Sequence, residues 1–403
     1  MPTLLQINST CNYGSTGHIA EQIAERASKQ GWESIIAHGG RYIMPSNFET
    51  IQISSSLDNK FHALKSIAMG MHGLGSTVST QRFVDRIKQI KPDVIHLHNI
   101  HGYYINYSIL FDFLSVANIP VIWTLHDCWA MTGQCTHYVS IGCERWKTGC
   151  YDCQLLKYGY KTLVDRSKTN WKEKQKSFSS VKRMTIVPVS QWLEGIVKES
   201  YLSQYPIKVI HNGIDLNVFK PKKVNRRDLG LDERITLLGV SSSWDNSKGL
   251  NEFIELSKNP SYQVVLIGVQ EPIMSKLPKA IKAIKRTENL ESLVQYYNAA
   301  DIFVNPTRAD SFPTVNLEAL ACGTPVLTYN TGGSPEAVNS NTGWVVEQGD
   351  VFGINKIIES FSEKTEKEVM NQRNNCRIRA EQEFNKEDCF DKYLDLYNLA
   401  NEP

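Results

Sequence analysis

Short apolar runs alternate with stretches of helical period along most of this chain. Residues 4–7, 34–37, 93–102, 120–133 and 185–189 each hold an apolar run of the length and composition of a buried strand. Between the first two, Ile19, Ile23, Ala24 and Ala27 recur at helical spacing, and Gly31 closes the helix. Ahead of it, Gly14-Ser15-Thr16-Gly17 reads as a glycine loop joining strand to helix, as in the first unit of a doubly wound sheet. Residues 82–90 form a further helix with a basic side, and Ser190 opens another. The span 43–80 shows no clean period, and its part from 68 to 75 reads equally as a mobile loop or a packed connection. In the second half, residues 235–240, 262–268, 302–304 and 325–328 are expected as strands. Two helices, over 351–361 and 363–400, are expected to close the chain. Strands and helices in alternation predict an α/β protein with parallel sheets.

At 403 residues the chain is long for one core, so two domains are the default. Its 41% apolar and 21% charged residues are those of a globular protein. A formal net charge of +2 gives no case for nucleic acid. No signal peptide or run long enough to span a bilayer is evident, so a cytoplasmic location is expected. In that setting nine cysteines point to reduced thiols or a metal. Cys135, Cys143, Cys150 and Cys153 are separated by seven, six and two residues, with Gly142 and Gly149 as turns. The pattern suits a structural zinc clip, with reduced thiols and then disulfides as the alternatives and Cys128 and His137 as spare ligands.

The strongest chemistry lies in 301–338, which reads as strand, loop, helix, strand and glycine turn. Its helix starts near Thr314 and stops at Gly323, with Asp310 ahead of it and Glu318 within it. A helix N-terminus favours an anion, and nearby carboxylates can accept hydroxyl hydrogen bonds. A phosphorylated polyol such as a nucleotide sugar fits. Elsewhere, His96 and His98 share a strand face without an acid partner, so a catalytic metal is not expected there. His98 with Asn99 stands at the strand's carboxyl end and is expected to line a cleft. The basic run 157–183 reads as a solvated face, with contact to anionic lipid as the alternative.

Asp310 and Glu318, with seven residues between them and NLEALACGTPVLTYNTGG (316–333) and SPEAV (334–338) around them, resemble the donor-binding segment of retaining glycosyltransferases of family 4. Residues 208–221, KVIHNGIDLNVFKP, resemble that family's interdomain strand and linker. The resemblance implies a GT-B fold, two Rossmann-like domains with parallel sheets facing across a cleft. It divides the chain into an acceptor-side domain (1–218, with a Cys-rich insert at 128–153), a nucleotide-sugar domain (219–383) and a helix (384–403) packing back on the first. It implies that Glu318 binds the ribose hydroxyls, Asp310 a hydroxyl of the donor sugar, and Lys248 the diphosphate. Gly14, Gly17, Ser242, Phe312, Pro313, Thr314 and Val315 become further donor contacts. His126 becomes a hydrogen-bonding residue at the transferred sugar, with Asp127 orienting it.

The expected activity is transfer of a hexose from a UDP- or GDP-sugar to a saccharide or lipid-linked acceptor in surface-polysaccharide assembly, with no cofactor for catalysis. The family usually places glutamate where Asp310 stands, and an arginine where this chain has Ser241-Ser242-Ser243. Those departures keep two alternatives open, a non-catalytic sugar-nucleotide binder and a GT-B nucleotide-sugar epimerase.

Overall fold

A computed structural model describes residues 1–157 and 159–401. The chain forms two compact units, one of residues 1–211 with 390–403 and the other of 212–389. Among the described residues no helix is long and apolar enough to cross a membrane.

The first unit carries β1 (Thr3–Asn8), β2 (Glu33–His38), β3 (Glu49–Gln52), β4 (Val94–Leu97), β5 (Val121–Leu125) and β6 (Met184–Pro188). They form one parallel sheet in the order β3-β2-β1-β4-β5-β6. Its helices are α1 (Gly14–Lys29), α2 (Ser56–Met69), α3 (Thr77–Ile90), α4 (Tyr107–Ala117), α5 (Ser167–Phe178) and α6 (Gln191–Lys198). All four residues of β4 and all five of β5 are buried, which is why these strands read as apolar runs interrupted by His96 and Thr124 alone.

The second unit carries β7 (Ile235–Val240), β8 (Tyr262–Ile267), β9 (Ile281–Ile284), β10 (Ile302–Asn305), β11 (Val326–Tyr329) and β12 (Gly343–Val346). Its helices are α7 (Leu250–Leu256), α8 (Glu271–Met274), α9 (Leu290–Ala299), α10 (Thr314–Ala321), α11 (Val351–Ser362) and α12 (Glu366–Glu383), and α13 (Lys386–Asn401) begins here. The sheet order is β12-β11-β10-β7-β8-β9, again parallel throughout. Numbered from its own first strand, this is the same doubly wound order as in the first unit. Each sheet therefore has a switch point beside its first strand, between β1 and β4 and between β7 and β10, where such sheets place ligands.

Four local expectations change. Gly14 to Gly17 is not a loop but the first turn of α1, and the connecting loop is Ser9 to Tyr13. A Cβ on Gly17 would stand 2.8 Å from Thr10 Oγ1, so this glycine lets the loop fold back on the helix. Within 43–80 lies α2, and the following turn is packed, since Gly70, His72 and Gly73 are buried. The basic run is only partly a solvated face: Lys174 is fully buried, and Arg166 pairs with Glu173 at 2.7 Å.

The last helix of the sequence reading is two. Ile214 N–H donates to Phe384 O (2.7 Å) and Lys386 N–H to Ile214 O (3.1 Å), so residues 384 and 385 are drawn out of helix. A Cβ on Gly213 would lie 2.4 Å from Lys386 Cα, and Lys386 Nζ meets Asp215 at 2.6 Å. The Asn-Gly-Ile-Asp stretch at 212–215 thus has a structural task. Beyond the break, the Tyr397 hydroxyl donates to His96 Nδ1 (2.6 Å), Thr124 Oγ1 donates to Tyr393 (3.1 Å), and Arg26 grips Asp391 through two 2.6 Å bonds, all within the first unit.

Candidate functional site

At the carboxyl end of the first sheet, β4 and β5 deliver His98, His101, His126 and Asp127 to one small pocket with Asn99 and Trp129. A chain of hydrogen bonds fixes their proton positions. The Gln6 amide nitrogen donates to Ala20 O (2.8 Å), so its oxygen must accept from His98 Nε2–H (3.0 Å). His98 Nδ1 is then an acceptor, and His126 donates to it from Nε2 (3.1 Å). That leaves Nδ1 as the acceptor of the His126 ring. Burial, with Asp127 opposing and His101 assisting, lowers the His126 pKa to about 4, so the ring is neutral near pH 7.

Asp127 does not orient His126. It accepts from His101 Nε2 (2.9 Å) and from the Trp129 N–H (2.8 Å). Burial alone would raise its pKa, but His101 and the Trp129 N–H bring it down to about 2. The Tyr160 hydroxyl caps the other nitrogen of His101. Of the glycine turn, Gly17 is buried and Gly14, with φ +65°, starts the helix, while Asn8 Nδ2 reaches Thr16 Oγ1 at 3.4 Å.

At the carboxyl end of the second sheet the chemistry is charged. Lys248, in the turn after β7, meets Asp310, in the loop after β10, at 3.0 Å. Asp310 also accepts the Phe312 N–H (3.3 Å), and its carbonyl accepts the Gly333 N–H (3.1 Å). A Cβ on Gly332 would stand 1.8 Å from that carbonyl at φ +56°, so both space and conformation require glycine there. Asn305 and Asn316 bond at 2.8 Å, tying β10 to the first turn of α10.

Pro313 precedes the helix, Thr314 and Val315 are half-buried in its first turn, and Ser242 is exposed after β7. Phe312 is 3% exposed and packs on Phe384, so its side chain belongs to the core and only its backbone faces this edge. The Ser311 and Ser334 hydroxyls are buried without a protein partner among the described residues, and both flank the start of α10. Glu318 accepts from the Tyr297 hydroxyl at 2.7 Å. Part of its surface reaches solvent, yet its dense surroundings push its carboxyl up to about 7 against that hydrogen bond.

Arg308 lies beside this loop, but its guanidinium is taken by buried Glu252. It does not supply the cation absent at Ser241–Ser243. The cysteines Cys135, Cys143, Cys150 and Cys153 are all free thiols lining one cavity of about 240 Å³. Burial pushes Cys135 up to about 12 and Cys150 up to about 11. Among the described residues no three His, Cys, Asp or Glu side chains are gathered as metal ligands, so the thiols are neighbours rather than a formed centre.

Two family descriptions match, "Glycosyltransferase Family 4" over residues 17–218 and "Glycosyl transferases group 1" over 221–383. The chain belongs to glycosyltransferase family 4. Among curated proteins, this family 4 glycosyltransferase is 24% identical over 381 residues to the putative colanic acid biosynthesis glycosyl transferase WcaC of Escherichia coli K12, covering 87% of this chain and 88% of that one. It is 30% identical over 172 residues to the capsular polysaccharide biosynthesis glycosyltransferase CapM of Staphylococcus aureus, covering 42% and 38%. Among solved structures it resembles sucrose-phosphate synthase of Thermosynechococcus elongatus (TM-score 0.75, 18% identity, 99% of both chains). It also resembles Alr3699/HepE of Anabaena in complex with UDP (TM-score 0.70, 16% identity, 99% of this chain and 100% of that one). The fold is GT-B, two α/β units each with a parallel six-stranded sheet.

Within this transferase, sequence reasoning missed three partners. Tyr160 on His101 sits in the basic run that reads as a solvated face, Tyr297 on Glu318 reads as an ordinary core aromatic, and the Arg308–Glu252 pair joins residues 56 apart. The His101–Asp127 pair also carried no signal, because the adjacent numbers of His126 and Asp127 suggested the wrong partner.

Proposed function

We propose that this enzyme is a retaining transferase moving a hexose from a UDP- or GDP-sugar to a saccharide or lipid-linked saccharide in surface-polysaccharide assembly. The observation that carries the reading is the second unit's switch point, where Lys248, Asp310 and Glu318 surround the start of α10. Glu318 accepts ribose hydroxyls, Asp310 accepts from a sugar hydroxyl, and Lys248 with the first amides of α10 holds the diphosphate as charge grows on the leaving oxygen. Among the described residues no side chain there is set as a nucleophile. The acceptor oxygen bonds to the anomeric carbon on the face from which phosphate departs, and the departing phosphate oxygen takes the acceptor proton. His126 contributes a neutral acceptor nitrogen suited to a sugar hydroxyl. Polysaccharide relatives such as WcaC and CapM support the pathway, and HepE, solved with UDP, supports the donor class.

The test is a panel of UDP- and GDP-hexoses with a saccharide acceptor, the product anomer being read by NMR. One donor should be turned over with its anomeric configuration kept. An inverted product would overturn the retaining mechanism, and binding without turnover would favour the non-catalytic reading that Ser241–Ser243 invites.

We also propose that Cys135, Cys143, Cys150 and Cys153 close on one structural zinc. Their shared cavity supports it, as does buried Lys174, which donates to the carbonyls of Trp129 (2.8 Å) and Thr132 (3.1 Å), stands over the Trp129 ring and lies within electrostatic reach of Cys135 and Cys150. A tetrathiolate would add negative charge beside Lys174, and binding would draw the four sulfurs together. Elemental analysis should find about one zinc per chain, lost in Cys150→Ser/Cys153→Ser. A metal-free protein of unchanged stability would contradict it.

A further inference from the structure

Helix α2 is built inside out. Its buried residues are Asn59, His62 and Ser66, and its large apolar side chains face solvent: Leu57 is 67% exposed, Phe61 70%, Leu64 62% and Ile67 39%. The inward polar groups are fully engaged. Asn59 donates to Gly39 O (2.7 Å), His62 donates to Ser76 Oγ (3.0 Å) and accepts the Gly75 N–H (3.0 Å), and Ser66 donates to Met71 O (3.2 Å). These bonds lock the helix rotation, so the apolar stripe cannot turn inward.

The stripe does not end with the helix. Leu163 N–H donates to Ile67 O (2.8 Å), and Thr162 Oγ1 donates to the same carbonyl (3.3 Å), which sets Leu163 (81% exposed) and Val164 (50%) beside the end of α2. Exposed lysines lie on the same segments: Lys60 within the stripe, Lys157 and Lys161 along the loop and Lys168 in the first turn of α5, against Asp58 and Asp165. Asp165 is already engaged by the N–H groups of Cys153 and Ser167. A contiguous apolar surface of this kind marks an interaction site. An apolar helix face rimmed by lysines fits an interface of acyl chains and anionic headgroups. A second copy of the chain fits less well, because a two-fold contact would set lysines against lysines.

We propose that the α2 stripe and the Leu163–Val164 turn form a docking surface for an anionic lipid bilayer. The proposal deepens the lipid-linked acceptor reading above, but vesicle binding needs neither donor nor acceptor, so the two fail separately. The same loop carries Tyr160, whose hydroxyl reaches His101, so docking would bear directly on the first unit's candidate site.

The test is co-sedimentation of the full chain with vesicles of phosphatidylglycerol and phosphatidylcholine, or of phosphatidylcholine alone. Wild type should bind the anionic vesicles, and more weakly as salt is raised. Phe61→Asp/Leu64→Asp should weaken binding at least about tenfold, because it puts charge into the acyl boundary. Lys60→Glu/Lys161→Glu should weaken binding and flatten its salt dependence. Both double variants change exposed side chains, so circular dichroism and nucleotide-sugar binding should match wild type. The proposal is overturned if wild type ignores anionic vesicles or if Phe61→Asp/Leu64→Asp binds them like wild type. It is also overturned if that variant merely converts a dimer to a monomer in light scattering.

Discussion

The two sheets share one strand order and differ in what stands at their carboxyl ends. In the first unit that edge is made of neutral rings whose protons are fixed by a relay from Ala20 O through Gln6 and His98 to His126. In the second it is made of ions and amides, with Lys248 on Asp310, Arg308 on Glu252, and Glu318 held partly protonated by its surroundings. A doubly wound sheet supplies a place for a ligand, and the residues after its strands decide which ligand. A neutral, oriented acceptor suits an uncharged hydroxyl. Paired charges around a helix start suit a diphosphate.

The contrast breaks most visibly at Lys248. Lys248→Ala removes the cation and frees Asp310 to repel phosphate, and should lower kcat/KM by about 10²–10³. A loss below tenfold in steady-state kinetics would put the diphosphate elsewhere. In the first unit, Gln6→Leu removes the acceptor that fixes His98, and turnover should fall by about tenfold with donor KM little changed. An equal loss in donor affinity would show that this edge also carries part of the donor site.

Stability sharpens the same comparison. Gly332→Ala sets a Cβ against the Asp310 carbonyl in a left-handed conformation and should destabilise by about 2–3 kcal/mol, weakening donor binding as well. Tyr397→Phe removes the hydroxyl donated to His96 and should cost about 1 kcal/mol in thermal unfolding with kinetics unchanged.

The sequence shows the central stretch well because three constraints coincide there. The close approach of Gly332, the Asn305–Asn316 tie and the acids at 310 and 318 each leave a mark on residue choice, and strand boundaries followed from burial on both faces. The repeated topology left no trace as a sequence repeat, since a buried parallel strand accepts any apolar run. The α2 helix escaped notice because its apolar side faces out and its polar side in, against the rule by which helices are read. Lys174 reads as a solvated residue, as Lys172 and Lys176 beside it are. Its burial depends on the carbonyls of Trp129 and Thr132, about 40 residues away, which no local pattern reveals. The break at Phe384–Asn385 depends likewise on pairing with Ile214.

Glu318 gives the most direct test. Its folded pKa, about 7 against 4.5, means the folded protein holds the extra proton between those values, so its contribution to stability declines as pH rises through that window. The ionised carboxylate accepts from two ribose hydroxyls more strongly than the protonated form, one of whose oxygens carries a donor proton. The measurement is calorimetric titration of the preferred nucleotide sugar into wild type, Glu318→Gln and Glu318→Ala from pH 5.5 to 8.5. The account predicts that wild-type affinity climbs through about pH 7 and then levels, that Glu318→Gln flattens the profile, and that Glu318→Ala binds about 100-fold more weakly. Wild-type affinity that ignores pH, together with undiminished binding by Glu318→Ala, would contradict it.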